Sequence, residues 1–165
     1  LFLARADAGQ RNGEACEIDM AAIIRRAAQH LVEPARSADV TITVAAGERV
    51  LTRGDAGAIA RLVRNLLDNA VRYTPRGGRV EISASIADGK AHIRVDDSGP
   101  GIREENREQV FERFWRGDHG RTSSPEGAGL GLAICREVVE AHKGSLSVGQ
   151  AAIGGARFEI FLPAS

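Results

Sequence analysis

The stretch from Ile59 to Pro75 sets the terms for the rest of the chain. Ile59, Leu62, Val63, Leu66, Leu67 and Ala70 recur at the spacing of one apolar helical stripe. Asn65, Asn69, Arg72 and Tyr73 fall at i, i+4, i+7 and i+8, so they share a second face. That face carries two carboxamides, a cation and an aromatic ring. A solvated helix face rarely needs such a set, whereas a nucleotide site uses all of it. Pro75 stops the helix, because the residue before a proline is pushed out of helical geometry.

The flanking sequence supplies further helices and strands. Leu1 to Ala8 reads as the last turns of a helix ended by Gly9, and Gln10 to Glu14 as a polar linker. Ala15 to Ile18 suits a short edge strand. Asp19 is a good N-cap for a helix through Met20, Ile24, Ala27 and Leu31, expected to end near Pro34. Val40 to Ala45 alternates as a strand, and Gly47 turns the chain into a second strand, Arg49 to Thr52. Asp55 opens the long helix. Arg79 to Ala87 and Ala91 to Asp96 flank Asp88-Gly89, a strong hairpin signal. A short helix is expected over Glu104 to Glu112, and a mobile loop over Arg113 to Glu126. A helix from about Leu130 to Lys143 should close at Gly144, followed by strands Ser145 to Val148 and Arg157 to Leu162. Helices and strand pairs alternate, so the expected fold class is a two-layer α/β (α+β) sandwich: a mixed sheet covered on one face by helices.

With 165 residues the chain is expected to make one domain, or one domain with a short appendage. Formal net charge is zero, which removes any bulk electrostatic case for nucleic acid or an anionic membrane. No apolar run approaches the ~20 residues of a membrane span. Cys16 and Cys135 are too far apart for a CxxC pair and read as reduced, partly buried thiols of a cytoplasmic protein. His30, His92, His119 and His142 lack metal-ligand spacing. The chain opens without a methionine and is expected to be an excised or processed fragment.

Three glycine-bearing or amide-bearing stretches carry the chemistry. Asn69 offers a hard, neutral oxygen of the kind Mg²⁺ accepts beside phosphates and waters. Asp97-x-Gly99-x-Gly101 follows a strand, and a carboxylate there can accept from an exocyclic amine such as that of adenine. Its glycines let backbone approach a ligand. Gly127-x-Gly129-x-Gly131 at a helix start is a candidate phosphate cradle. It matches neither the dinucleotide fingerprint nor the Walker A loop. Phe111, Phe114 and Trp115 cluster before the loop as a candidate latch, and Arg116 and Arg121 are candidate phosphate contacts. Singly, each has an ordinary explanation: a capping Asn, an acidic turn, a hinge, a core cluster, solvated arginines.

Together these residues resemble the catalytic ATP-binding domain of bacterial sensor histidine kinases, in the Bergerat-fold ATPase superfamily. Asn65 to Pro75 resembles the family's N box, Asp97 to Ile102 its G1 box, Phe111 to Arg116 its F box and Gly127 to Leu132 its G2 box. Gly154 to Pro163 resembles the closing strand segment, and Leu1 to Gly9 the end of the helical dimerisation domain. The resemblance divides the chain into a stub, 1–9, and a catalytic domain, 10–165. It implies a mixed sheet with about three helices and a mobile lid. It implies ATP between the N-box helix and the lid, with Mg²⁺ on Asn69, the adenine amine on Asp97 and Tyr73 against the base. Arg72, Arg116 and Arg121 would contact phosphates. Gly99, Gly101 and Ile102 would shape the base site, and Gly127, Gly129, Leu130, Gly131 and Leu132 the lid's hinge and phosphate edge. Asn65, Asn69 and Arg116 would be the catalytic set.

Two departures matter. None of the four histidines sits in the family's phosphoacceptor motif, so the resemblance implies transfer to a histidine on another helical segment or polypeptide, and from there to a response regulator. Ala156 stands where many relatives carry a Thr that supports the adenine network. Family members that hydrolyse ATP unaided carry a Glu at the position of Asn65, and a carboxamide is no general base. That argues against a gyrase- or chaperone-type machine. The residues would also serve a serine kinase of an anti-sigma antagonist, or a nucleotide sensor with no enzymatic activity.

Overall fold

The computed structural model describes residues 13–117 and 129–165. Five strands form the main sheet. In spatial order they are β2 (Thr41–Ala46), β4 (Arg79–Ala87), β5 (Lys90–Asp97), β7 (Ala156–Pro163) and β6 (Ser145–Gln150). β2 runs parallel to β4 and the other neighbours are antiparallel, so the sheet is mixed. α1 (Met20–His30), α3 (Ala56–Tyr73) and α4 (Gly131–Ala141) cover one face. β1 (Cys16–Asp19) and β3 (Leu51–Gly54) form a separate two-stranded sheet, and α2 (Val32–Ser37) follows α1.

The period-2 pattern of the strands builds the core. Val80, Ile82 and Ala84 of β4, Ala91, Ile93 and Val95 of β5, and Phe158, Ile160 and Leu162 of β7 all point inward and are buried. The stripe of α3 packs on them, with Ile59, Leu62, Val63, Leu66, Leu67 and Ala70 buried. The alternate residues face outward as a polar layer. The Asp88-Gly89 turn has positive φ at both positions, 51° and 69°, which matches the twist of a tight hairpin.

Several local expectations are corrected. The chain does not leave its helical course at Pro34: α1 ends at His30, and Pro34 sits in the first turn of α2, where the missing N–H is harmless. β2 and β3 are not partners, since they belong to different sheets. Residues 104–112 form two 3-10 turns, Glu104–Asn106 and Gln109–Phe111, in place of one helix. At the end of α4 the left-handed residue is Lys143, φ 55°, not Gly144. Lys143 N–H donates to the Glu140 carbonyl and Gly144 N–H to that of Val139, a Schellman closure. Gly144 is needed for space, because a Cβ there would lie 2.4 Å from the Phe161 carbonyl. Cys16 is exposed and Cys135 fully buried, so the two thiols do not share one environment. The expected stub, Leu1 to Gly9, lies outside the described residues.

Candidate active site

β5 delivers its last residue, Asp97, to the inner face, in the position that follows Ala91, Ile93 and Val95. The residue is only 4% exposed. Gly99 N–H donates to Oδ1 at 2.9 Å, and Ala156 N–H donates to the same oxygen at 3.1 Å. Gly155 N–H donates to the Asp97 carbonyl at 3.0 Å. Among the described residues Oδ2 takes no hydrogen bond, and none of their side-chain oxygens is both fully buried and unpartnered. Oδ2 is therefore the lobe that no described group claims, and it is the one left for a donor. Burial pushes the carboxyl above the usual carboxylate range; the Gly99 and Ala156 N–H groups oppose that, and the neighbouring Asp96 charge adds to it.

Glycines make this cradle possible. A Cβ at Gly155 would fall 2.1 Å from Asp97 Oδ1, and one at Gly99 would fall 2.8 Å from the Tyr73 carbonyl. The second contact brings the C-terminal end of α3 against the loop after β5. Gly101 has φ 74° and lies against Gly155, and Ile102 packs on the core. The contribution of Gly155 and of the Ala156 N–H was not legible in the sequence beyond a turn signal, because a backbone donor leaves no side-chain signature.

α3 presents its polar face to the same side. Asp55 caps the helix, accepting from Ala58 N–H at 3.0 Å. Asn65 and Asn69 are half-buried, Arg72 is exposed and Tyr73 is 41% exposed. Asn69 makes no hydrogen bond among the described residues, so its amide oxygen is unclaimed. Arg72 is 3.3 Å from Asp68 Oδ2, one turn back. The Asn65 amide lies 3.5 Å from the Gly131 carbonyl, a long contact between α3 and the start of α4. Behind it, the Cys135 thiol points at the Leu62 carbonyl at 3.7 Å. Burial pushes that thiol up to about 12, so it is a neutral packing group.

The third wall is the start of α4. Leu130 occupies the N-cap position with no side-chain cap, so among the described residues no side chain answers the first-turn N–H groups, Gly131 and Leu132 among them. Those bare donors and the positive helix end suit an anion. Gly129 has φ 68°, and its carbonyl accepts from Phe114 N–H at 3.0 Å. That bond joins the residues on either side of 118–128, which include Arg121 and Gly127 and lie outside the described residues. The aromatic trio is not one latch. Phe111 is buried edge-to-face against Phe158, Trp115 packs against the core, and Phe114 is 70% exposed at φ 64°. Arg116 follows, exposed.

Residues 54–165 match the model of the histidine kinase-, DNA gyrase B- and HSP90-like ATPase family. The chain is 41% identical to sensor protein IrlS of Burkholderia pseudomallei over 148 residues, 90% of this chain and 32% of that protein. It superposes on the mycobacterial sensor histidine kinase MprB with TM-score 0.78 at 36% identity, covering 90% of this chain and 97% of that one. It also superposes on full-length ShkA in complex with AMPPNP, with TM-score 0.79 at 29% identity, covering 98% of this chain and 34% of that one. The chain belongs to this ATPase family, on the sensor histidine kinase side of it. The mixed sheet with three covering helices is the fold of those catalytic domains, as expected from the sequence. The chain spans about a third of the length of IrlS. Among the described residues, no helix is long and apolar enough to cross a membrane.

Proposed function

We propose that this chain is the catalytic part of a sensor histidine kinase, moving the γ-phosphoryl group of ATP to a histidine on a separate helical dimerisation segment. A response regulator then takes the group, as two-component signalling requires. The observation that supports this most is Asp97: a buried carboxylate with Oδ1 pinned by two N–H groups and Oδ2 open. That asymmetry suits recognition of one amine, as adenine offers. Tyr73 lies at the α3 end that meets this loop, and its exposed ring suits packing on the base. Gly99, Gly101 and Ile102 shape the base site, and Gly129, Leu130, Gly131 and Leu132 edge the phosphates.

The half-buried carboxamide of Asn69, unclaimed by any other described group, fits a Mg²⁺ ligand, and Asn65 lies one turn away on the same face. When bound, that ion would neutralise phosphate charge. The chain's own residues position the triphosphate: the uncapped N–H groups of α4 on one side, and Arg72 and Arg116 as cations on the other, with Arg121 and Gly127, outside the described residues, completing the set. The protein works in the cytoplasm, with neither nucleic acid nor direct membrane contact by this part. ShkA, similar throughout this chain, holds AMPPNP, which favours the nucleotide reading.

The test supplies a helical phosphoacceptor segment in trans with labelled ATP and Mg²⁺. Asn69→Ala should lower histidine labelling by at least ~100-fold, the scale of losing a group that positions or neutralises the transferred phosphate. Undiminished labelling would remove Asn69 from the metal site. A calorimetric titration of folded protein with ATP and Mg²⁺ that shows no uptake would remove the kinase reading altogether.

A further inference from the structure

The outer face of the sheet carries, directly behind Asp97, a charge pair that nothing in the reaction uses. Arg157 Nε and a terminal nitrogen donate to Asp96 Oδ1 and Oδ2, each at 2.8 Å. The Asp96 side chain is 4% exposed. Asp96 and Arg157 are register partners in the β5–β7 ladder. The next residues on the two strands, Asp97 and Ala156, are the last of β5 and the first of β7. On the inner face those two are joined by the Ala156 N–H to Asp97 Oδ1 bond. The bidentate pair and the Asp97 cradle thus stand back to back at the end of one ladder.

Strand ends open more readily than strand centres. Beyond Asp97 and Ala156 both chains turn away into glycine-rich loops, Ser98 to Gly101 and Ala151 to Gly155. A bidentate Arg–carboxylate pair fixes both distance and orientation, and burial makes it hard to break. We propose that Asp96 and Arg157 are positioning residues for nucleotide recognition, clamping the β5–β7 end so that Asp97 Oδ2 is held where it accepts the base amine. This rests on the reading of Asp97 as the adenine contact. The pair touches no ligand and acts only through Asp97.

Charge on this face adds to the effect of burial on Asp97's acidity. The negative Asp96 raises the pKa of its neighbour, and Arg157 answers that charge. The other titratable groups facing the pair among the described residues are Arg94 on β5, 3.6 Å from Asp96, Glu81 on β4 with its partner Arg79, and Glu159 on β7 with His92. On the inner side, the charged groups of α3 near this end are Asp68 and Arg72, paired with each other.

The experiment compares ADP with IDP, whose base has a carbonyl in place of the amine, by calorimetric titration of the whole chain. In the wild type ADP should bind more tightly. Arg157→Gln should weaken ADP by about tenfold and leave IDP nearly unchanged, since only the amine contact is misplaced. Arg157→Lys, which keeps the charge and one bond, should recover part of the loss. The acid limb of ADP affinity should move to higher pH in Arg157→Gln, where Asp96 keeps only the longer contact with Arg94, and to lower pH in Asp96→Asn, where the charge is gone. Arg79→Gln, which alters the exposed pair next door, serves as the control and should match wild type. Should ADP and IDP weaken in parallel, or the two limbs move the same way, the pair is a plain structural brace and the proposal is wrong. Should wild type not prefer ADP over IDP, the assignment of Asp97 itself falls, and the clamp with it; should the preference survive every variant, only the clamp falls.

Discussion

At the scale of single residues, the role proposed for Asp97 sets recognition against stability. Its folded pKa is raised above the unfolded value of 3.8, chiefly by burial. Its contribution to stability is therefore fully present below pH 3.8 and is lost as pH rises through the folded pKa, so at neutral pH the ionised form works against the fold. Asp97→Asn should accordingly leave the melting temperature of the nucleotide-free protein equal or higher, while ATP affinity falls by at least about tenfold. Thermal melts and titration together check this; a lowered melting temperature would mean the carboxylate is a structural group. The place of Asp97 at a strand end before two spaced glycines was legible; its use was not, because alone that pattern reads equally as an acidic turn. What holds it was not legible. Gly155 reads only as a turn, and Ala156 reads as a departure from the family's Thr. In the fold Gly155 gives the space and Ala156 gives a main-chain N–H that only a proline there would remove. Nothing local marks Asp96 and Arg157 as a pair, because the register that sets them opposite each other joins positions far apart in the sequence.

At the scale of elements, α3 and α4 form the walls of the site, and their far ends are tied together. Asp55 caps α3 through Oδ1 to Ala58 N–H, and takes Gly13 N–H on Oδ2. His142, at the end of α4, accepts the Asp55 N–H on Nε2 at 3.0 Å, and its Nδ1 lies 2.7 Å from the Val138 carbonyl, which requires the proton there. A Cβ on Gly54 would strike that ring at 2.2 Å, so the glycine admits it. His142→Ala should cost about 1–3 kcal/mol in chemical denaturation, since a buried N–H loses its partner. Asp55→Ala should cost about 1 kcal/mol at neutral pH. The cap's N–H bonds, led by Ala58, lower the Asp55 pKa, so its share of stability is present above 3.8 and lost as pH falls through the lower folded value. The difference between Asp55→Ala and wild type should shrink in that acid window. A difference that persists unchanged would show that the carboxylate's charge is not what caps the helix. The cap was legible in the sequence, since Asp before an apolar-periodic run is a start signal. The clasp was not, because His142 lies 87 positions from Asp55 and nothing local marks the pair. Strand partners escaped for a similar reason. Gly47 suggests a turn, but the chain carries β3 to a second sheet, and β2 pairs in parallel with β4, which lies beyond β3 and α3 in the sequence.

At the scale of the whole molecule, the site lies where the ends of separate elements meet. Asp97 ends β5, Ala156 begins β7, Tyr73 ends α3 and Gly131 begins α4. On the proposed reading such a site would bind and orient a triphosphate with main-chain donors and carboxamides, and it brings no carboxylate to the place of Asn65 that could take a proton from water. The chemistry expected of it is transfer to an acceptor that brings its own nucleophile. Two outcomes follow. ATP hydrolysis by the chain alone should be slow, and label should pass from ATP only when a helical partner bearing a histidine is supplied. The linkage formed distinguishes the acceptor, because phosphate on histidine is lost in acid while phosphate on serine survives. Label that withstands acid would move this chain to the serine kinases of the same family. Label that appears on no partner, together with tight ATP binding, would make it a nucleotide sensor. Placing a carboxylate at position 65 separates positioning from water activation. Asn65→Glu should reduce transfer to the partner while leaving hydrolysis within about tenfold of wild type, because a general base gains little unless a water is held in line with the γ-phosphorus. Hydrolysis that rises well beyond that would show the water site already formed, and the lone carboxamide as the one thing holding it silent.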